Sequence, residues 1–146
     1  VILEYAKLDK PLLGICLGMQ LLLTESYEFG FHKGLGLIEG QVIKISNKQN
    51  EKIKIPHMGW NEIYPCNDKK EWNSKILKNT LIGKNFYFVH SFVALTKNPS
   101  STVAVCNYSG ISIPAVVTVN NIFGCQFHPE KSGDNGLAML KSFCEI

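Results

Sequence analysis

Short apolar runs alternate with polar, glycine-containing breaks along most of this chain. Runs of four to eight residues, rich in β-branched and aromatic side chains, are typical of strands. They lie at residues 12–15, 40–45, 61–64, 85–90, 102–108, 115–119 and 122–127. Apolar residues at helical spacing instead predict helices over residues 1–8, 17–26 and 136–144.

This order of strands and helices predicts an α/β domain of three layers. We expect a mostly parallel central sheet with flanking helices, and antiparallel additions at 40–45 and 61–64. A polar loop is expected at 66–74 and a solvated hairpin tip at 48–52. Since no repeat, low-complexity tract or linker divides the sequence, residues 1–146 are interpreted as one domain.

Composition narrows the class of protein. With 146 residues, 45% of them hydrophobic, the chain can bury one core. The net charge of +3 is small and the lysines are dispersed, which argues against nucleic acid as a partner. No apolar run reaches the length of a membrane-spanning helix and no signal peptide is recognised, so no membrane partner is expected. Five cysteines without a C-x-x-C pair indicate a reduced cytoplasmic protein rather than a disulfide framework or a zinc site.

The first candidate for chemistry is Cys16, in the segment GICLG of residues 14–18 after the first predicted strand. A strand that runs through a Gly-x-nucleophile-x-Gly turn into a helix is the nucleophile elbow of many hydrolases. Glycines relieve the crowded backbone of such a turn. The free N–H groups and the dipole at the start of the helix would favour the Cys16 thiolate. The alternative is a buried core cysteine at a strand end.

The second candidate lies near the end of the chain, where His128, Pro129 and Glu130 follow the last predicted strand. Proline disfavours the helical region for the residue before it, so His128 is expected to be extended. Residues i and i+2 of an extended segment project to the same side, which brings the Glu130 carboxylate near the His128 ring. With Cys16 they would form a nucleophile, a base and an orienting group. Taken singly, His128 also fits a hydrogen-bonded surface histidine, and Glu130 a solvated loop charge.

Four segments together carry a resemblance to a known family. Residues 14–20 (GICLGMQ) and 126–132 (QFHPEKS) are similar to the two signatures of class I, or triad-type, glutamine amidotransferases, whose domain is flavodoxin-like. Residues 56–61 (PHMGWN) and 87–91 (YFVHS) resemble one branch, the glutaminase subunit of imidazole glycerol phosphate synthase in histidine biosynthesis. The motifs stand in the family's order.

The resemblance implies an enzyme that hydrolyses L-glutamine to L-glutamate and ammonia through the triad Cys16, His128 and Glu130. Ammonia would pass to a synthase (cyclase) subunit bound as a heterodimer. No metal and no organic cofactor is implied. Two alternatives stay open: a paralogous subunit that supplies ammonia to a synthase aminating or amidinating surface sugars, and an inactive fragment that only binds its partner.

The resemblance also implies residues that bind glutamine or the partner. The glutamine-binding residues would be Leu17 (through an oxyanion N–H), Gln20, Glu28, Ser91 and Phe92. The partner would meet an exposed surface made of His57, Met58, Trp60 and Asn61. From the residues alone, four simpler readings stay open: a solvent-facing Gln20, a helix-end Glu28, a core Trp60 and a loop His57 with satisfied hydrogen bonds.

Residues 1–8 resemble the helix that precedes the nucleophile strand in this family. In the family, the first strands of the sheet and a Pro-Gly loop that supplies one oxyanion N–H come before this helix. The resemblance therefore implies an N-terminally incomplete subunit that lacks those strands.

Overall fold

A computed structural model of the chain describes residues 1–46 and 53–146. The helices are α1 (Ile2–Lys7), α2 (Leu17–Leu21) and α3 (Gly133–Cys144). The strands are β1 (Leu12–Ile15), β2 (Leu23–Ser26), β3 (His32–Lys33), β4 (Ile38–Lys44), β5 (His57–Glu62), β6 (Tyr64–Pro65), β7 (Asn85–His90), β8 (Phe92–Thr96), β9 (Thr102–Tyr108), β10 (Ile111–Val119) and β11 (Ile122–Cys125). The hairpin tip predicted at 48–52 lies outside the described residues. Among the described helices, none has the length and apolar character that crossing a membrane requires.

The largest sheet has the strand order β1-β11-β10-β9-β6. β1 and β11 pair in parallel, with Leu12 opposite Ile122 and Ile15 opposite Cys125. The other neighbours in this sheet pair antiparallel. Because parallel strands end at the same edge of a sheet, the residues that follow β1 and β11 emerge side by side.

The described strands are less parallel than the sequence predicts. Two pairs of described strands are parallel: β1 with β11 in the largest sheet, and β2 with β4 in a second sheet. A short connection explains one of the antiparallel pairs. Strands β9 and β10 are joined by Ser109 and Gly110 alone, whose φ angles are 50° and 76°. Two successive residues with positive φ make a tight hairpin turn that reverses the chain, whereas a parallel pair needs a long crossover.

The two faces of the largest sheet enter two separate hydrophobic clusters. Phe123 packs in one cluster with Met139 of α3. The next residue along the strand, Ile122, packs in the other cluster with Met19 of α2 and Val42 of β4. This alternation follows from strand geometry, in which successive side chains point to opposite faces. The sheet is therefore covered on both faces, as a three-layer α/β domain requires.

Two smaller sheets flank the largest one. The first has the order β3-β2-β4-β8. The antiparallel addition predicted for residues 40–45 is confirmed only on one side of β4, which runs antiparallel to β8 but parallel to β2. The second is the ribbon of β5 and β7, an antiparallel pair that begins at His57 rather than at the predicted Asn61. In this ribbon Met58 lies opposite Val89 and Trp60 opposite Tyr87.

The helix predicted over 17–26 is wrong after Leu21, because Leu23–Ser26 form strand β2. In a helix, the carbonyl groups of Leu21, Leu22 and Leu23 would accept from N–H groups four residues later. They accept instead from the N–H groups of Leu35, Ile38 and Gly36. Leu22 and Leu23 are buried, at 2% and 0% exposure. Long-range pairing therefore decides the backbone conformation of this apolar segment.

Candidate active site

Cys16 occupies a sharp turn between β1 and α2. Its φ of 51° and ψ of −106° lie outside the regions that residues with a Cβ prefer. A Cβ added to Gly14 would stand 2.6 Å from the carbonyl carbon of Gly18, so the strand and the helix approach too closely for a side chain there. A Cβ on Gly18 itself would meet nothing within 4 Å, so the crowding argument applies to Gly14 alone. Strain of this kind, of order 1–3 kcal/mol, is typical of functional sites.

The Cys16 sulfur is half-buried among polar groups. Its thiol donates to the carbonyl of Val89, with 3.8 Å between Sγ and O, and it accepts from Gln126 Nε2, also at 3.8 Å. Burial raises the pKa of the Cys16 thiol, and the nearby Glu130 carboxylate raises it further. The backbone N–H of Leu17, the Gln126 amide and Lys131 act in the opposite direction on this pKa.

The N–H of Leu17 lowers the Cys16 pKa, in the direction that the sequence predicts for the start of a helix. The net pKa is nevertheless raised. Desolvation has the larger effect on this pKa, since the half-buried sulfur contacts the Val89 carbonyl instead of water. The α2 helix also has only five residues, which leaves a short stack of peptide dipoles.

His128 and Glu130 are paired as the sequence predicts. The Nδ1 atom of His128 lies 2.7 Å from Glu130 Oε1. A carboxylate accepts, so Nδ1 carries the hydrogen and Nε2 keeps a lone pair. The His128 backbone is extended, with φ of −99° and ψ of 96°, and its N–H donates to the carbonyl of Tyr87. The described hydrogen bonds of Cys16 Sγ go to Val89 and Gln126, and none goes to the His128 ring.

A cavity of about 170 Å³ opens beside the elbow. Three of the residues expected to bind glutamine line it: Leu17, Gln20 and Glu28. The other lining residues are not predicted from the sequence; they are Leu21, Ser26, His32, Lys33 and Gly34. The turn and strand β3 bring residues 30–34 back beside α2, and no local pattern in the sequence signals that return.

Ser91 and Phe92, which are also expected to bind glutamine, do not line this cavity. The carbonyl of Phe92 accepts a hydrogen bond from Gln20 Nε2 at 3.1 Å. Gln20 is 8% exposed, so the solvent-facing alternative is wrong. Its amide also donates to Gln126 Oε1 at 3.2 Å.

His57 is fully buried, so the expectation that it forms part of an exposed surface is wrong. Its ring stacks between Phe88 and Tyr108, with centroids 4.8 Å and 4.0 Å away. Alternation along β5 then turns Met58 and Trp60 outwards, at 59% and 55% exposure. Because Trp60 is this exposed, the core-anchor alternative for it is wrong.

Asn61 lies behind the exposed surface rather than in it. It is half-buried, its Oδ1 lies 2.8 Å from His57 Nε2, and its Nδ2 donates to the Asn107 carbonyl. Met58 and Trp60 are therefore the members of the expected partner set whose side chains face solvent.

No group of three or more His, Cys, Asp or Glu side chains that could hold a metal ion occurs within residues 1–46 and 53–146. The five cysteines are all free. Cys106 and Cys125 are buried, and burial raises the pKa of Cys106 to about 12.

Comparison with known proteins identifies the family. All of residues 1–146 match the family described as glutamine amidotransferase class-I. The chain belongs to this family. The family expected from the sequence motifs is confirmed.

Curated relatives extend this result. The chain is 49% identical over 146 residues to the imidazole glycerol phosphate synthase subunit HisH of Wolinella succinogenes, covering 99% of this chain and 68% of the relative. It is 46% identical to subunit HisH 1 of Legionella pneumophila (strain Lens) over 145 residues, covering 98% and 68%. It is 42% identical to the HisH subunit of Pyrococcus furiosus over 143 residues, covering 98% and 69%. The chain thus spans about two thirds of the length of these relatives.

Two solved structures are similar in fold. The crystal structure of a glutamine amidotransferase aligns with a TM-score of 0.62 at 16% identity, covering 98% of this chain and 66% of that one. The crystal structure of a glutamine amidotransferase from Thermotoga maritima aligns with a TM-score of 0.57 at 18% identity, covering 99% and 51%. At these identities the likeness supports the fold, and the α/β class predicted from the sequence is confirmed.

Proposed function

We propose that this chain acts as the glutaminase subunit of an imidazole glycerol phosphate synthase in histidine biosynthesis, with residues 1–146 as its amidotransferase domain. The observation that carries the proposal is the placement of Cys16 and of the His128–Glu130 pair after two adjacent parallel strands. The names of the relatives, which are 42–49% identical in the three cases above, support the choice of branch.

In the proposed reaction the Cys16 sulfur attacks the side-chain amide carbon of L-glutamine, and the carbonyl oxygen becomes an oxyanion. The N–H of Leu17, already directed at the sulfur, is placed to stabilise that charge. His128 Nε2 accepts the thiol proton and transfers it to the departing nitrogen, which leaves as ammonia when the C–N bond breaks. Water then attacks the γ-glutamyl thioester with His128 as base, which releases L-glutamate and restores the thiol. Glu130 holds Nδ1–H throughout.

The cavity beside the elbow supports glutamine as substrate. Leu17, Gln20 and Glu28 line it together, and the carboxylate of Glu28 is suited to an α-amino group. We propose that the backbone of Ser91 and Phe92 receives the substrate carboxylate, since Phe92 is held against Gln20 at the border of this cavity.

The partner surface proposed here is the outer face of the β5–β7 ribbon. Met58 and Trp60 are more than half exposed, and the Trp60 ring contacts Tyr87 edge-on at 5.8 Å between centroids. The same strand β7 presents the Val89 carbonyl to the Cys16 thiol. A synthase subunit docking on this face would therefore act close to the nucleophile, and we propose that docking switches on an otherwise weakly active glutaminase. We place the protein in the cytoplasm, which fits its five free cysteines.

The proposal is tested by Cys16→Ser in the full gene product, assayed for glutamate release with the synthase subunit present. We expect loss of glutaminase activity with partner binding retained, because sulfur and oxygen differ little in volume. Cys144→Ser is the matched control, since Cys144 is exposed and lies on α3. Wild-type turnover in Cys16→Ser would show that the nucleophile lies elsewhere.

A further inference from the structure

Gln126 and Gln20 are buried amides whose contacts connect the nucleophile to the glutamine cavity. Gln126 is fully buried and Gln20 is 8% exposed. Gln126 Nε2 donates to Cys16 Sγ at 3.8 Å, while Gln126 Oε1 accepts from Gln20 Nε2 at 3.2 Å. Gln20 Nε2 also donates to the Phe92 carbonyl at 3.1 Å. The four groups form one continuous line of hydrogen bonds.

The direction of this line is fixed by its two ends. The Phe92 carbonyl can only accept, so Gln20 must present its nitrogen there. Gln20 then donates its second N–H to Gln126 Oε1, and Gln126 is left with only N–H groups to offer the sulfur. A thiolate gains from such a donor, whereas the Val89 carbonyl on the other side of the sulfur favours the thiol. The line therefore favours formation of the reactive thiolate, against the burial that raises the pKa of Cys16.

We propose that Gln126 and Gln20 are positioning residues of the glutaminase reaction, with Gln126 stabilising the Cys16 thiolate that forms when His128 accepts the thiol proton and Gln20 fixing the orientation of Gln126. This rests on the proposed function, in which Cys16 is the nucleophile. Neither residue exchanges a proton or forms a bond to glutamine in this role. Gln20 has a second task, because it also lines the substrate cavity.

Other groups around Cys16 have to be held constant in a test. The charged and titratable neighbours all lie at or after the end of β11. In chain order they are Cys125, His128, Glu130 and Lys131. The remaining neighbours are the Leu17 N–H and the Val89 carbonyl, which do not titrate. Substituting Gln126 changes one donor and leaves these groups in place.

The test measures the alkylation of Cys16 by iodoacetamide against pH, with peptide mass spectrometry to follow this thiol separately. Gln126→Met removes the donor and keeps the side chain unbranched, so we expect the midpoint of Cys16 alkylation to move to higher pH. A shift of one pH unit, about tenfold in rate below the midpoint, corresponds to ~1.4 kcal/mol. Gln126→Glu keeps the acceptor for Gln20 but puts a carboxylate oxygen beside the sulfur, so its midpoint should move further in the same direction. Exposed Cys144 is an internal control for reagent reactivity.

Kinetics with the synthase partner separate positioning from packing. For Gln126→Met we expect kcat to fall about tenfold with little change in the KM for glutamine, whereas Gln20→Met should raise KM as well. Ser142→Ala is the control for a lost buried hydrogen bond, because Ser142 is fully buried in α3 and bonded to Asn79 and the Ala138 carbonyl. It should lower the unfolding temperature without moving the Cys16 midpoint.

If folded Gln126→Met and Gln126→Glu both keep the wild-type alkylation profile and kcat, the positioning role is overturned. Should Gln126→Met not fold, the Gln126→Glu profile decides alone, since that side chain preserves both volume and the bond to Gln20. An active Cys16→Ser enzyme would instead overturn the proposed function itself, so the two failures are distinguishable.

Discussion

Glu130→Gln separates the role of orienting His128 from the electrostatic effect of a carboxylate on Cys16. The substitution keeps the shape of the side chain, and an amide oxygen can still accept from His128 Nδ1–H. What it removes is the negative charge 2.7 Å from that nitrogen. The charged carboxylate strengthens the hydrogen bond that orients the His128 ring, and it raises the pKa of the Cys16 thiol.

The magnitude follows from the exposure of the pair. A hydrogen bond to a charged group is worth about 1 kcal/mol more than a neutral one, and Glu130 is 47% exposed, so solvent screens part of that difference. We therefore expect kcat/KM for glutamine to fall by less than about fivefold. This is far less than the loss of about 10⁴ that follows replacement of a buried triad carboxylate in a serine protease. Glu130→Ala should cost more than Glu130→Gln, because water has to replace the whole contact.

The assay combines glutamate release with the partner present and alkylation of Cys16 without it. Glu130→Gln should lower the rate of glutamate release. It should raise the rate of Cys16 alkylation at a fixed pH below the thiol midpoint, since removal of the carboxylate lowers the Cys16 pKa. Glu71→Gln, an exposed glutamate outside the site, is the matched control and should change neither. Slower alkylation in Glu130→Gln, or a loss of activity as large as that of a His128 variant, would refute the orienting role.

Two further substitutions test the other parts of the proposal. His128→Ala should lower glutaminase activity by several orders of magnitude, more than Glu130→Ala. The reason is that water can partly replace an orienting carboxylate but not the proton acceptor. The reverse order of the two defects, measured as kcat/KM, would contradict these roles. Trp60→Ala should weaken synthase binding and the stimulation of glutamate release together, because Trp60 is 55% exposed on the β5–β7 ribbon, opposite Tyr87. Leu81→Ala, at a residue 68% exposed elsewhere, is the control. Normal stimulation of Trp60→Ala would rule the surface out.

The parts of the fold that the sequence predicts correctly are those with local boundaries. Strands β1, β7 and β9 begin and end at the predicted residues. Each is bounded by proline, glycine or other turn residues, which interrupt an apolar run whatever the rest of the chain does. The position of Cys16 follows for the same reason, because it comes directly after β1. Strand β11 ends at Cys125 rather than at the predicted residue 127, so the His128–Glu130 pair follows after two further residues.

The errors arise where distant residues decide the outcome. His57 looks like a loop histidine in its own segment, and its burial depends on Phe88 and Tyr108, far along the chain. Strand β2 forms because its carbonyls pair with residues after it instead of continuing a helix. Gln126 stood within a recognised motif, but its bond to the sulfur requires β1 and β11 to be neighbours. Composition and spacing hold no information of this kind.

The hydrogen bonds of the buried pair His57 and His90 determine which ring nitrogens carry a hydrogen. His57 Nδ1 and His90 Nε2 lie 2.8 Å apart, and His90 Nδ1 lies 2.8 Å from the Phe92 carbonyl, so His90 carries its hydrogen on Nδ1. His90 Nε2 then has only a lone pair, and His57 must donate from Nδ1 if both rings are neutral. His57 Nε2 is then an acceptor and needs a donor. Rotating the Asn61 amide by half a turn places its Nδ2 beside His57 Nε2, where it can donate.

The alternative keeps the Asn61 oxygen on His57 and places an extra proton between the rings. That arrangement buries a charge, and burial lowers the pKa of both imidazoles, that of His90 to about 4. The titratable groups facing the pair are each other and the Tyr108 phenol, and the neighbouring imidazole is the charge that further lowers the His90 pKa. Turning one half-buried amide costs a single hydrogen bond, about 1 kcal/mol, whereas an unpaired buried charge costs several. We therefore expect a neutral pair at pH 7.

This expectation fixes the sign of the pH dependence. Below the ordinary histidine pKa of 6.5 the unfolded chain takes up a proton that folded His90 refuses until about pH 4. The free energy of unfolding should therefore fall as the pH drops through this range, by about 3 kcal/mol from His90. His90→Asn keeps a donor for the Phe92 carbonyl and cannot titrate, so denaturant unfolding at pH 7 and pH 4.5 should show a smaller difference for it than for the wild type. Two results would contradict this expectation: an unchanged acid dependence of unfolding in His90→Asn, or imidazolium nitrogen shifts for this pair in NMR spectra at pH 7. Either would show that the two rings share an extra proton and that this charge is tolerated behind the β5–β7 ribbon.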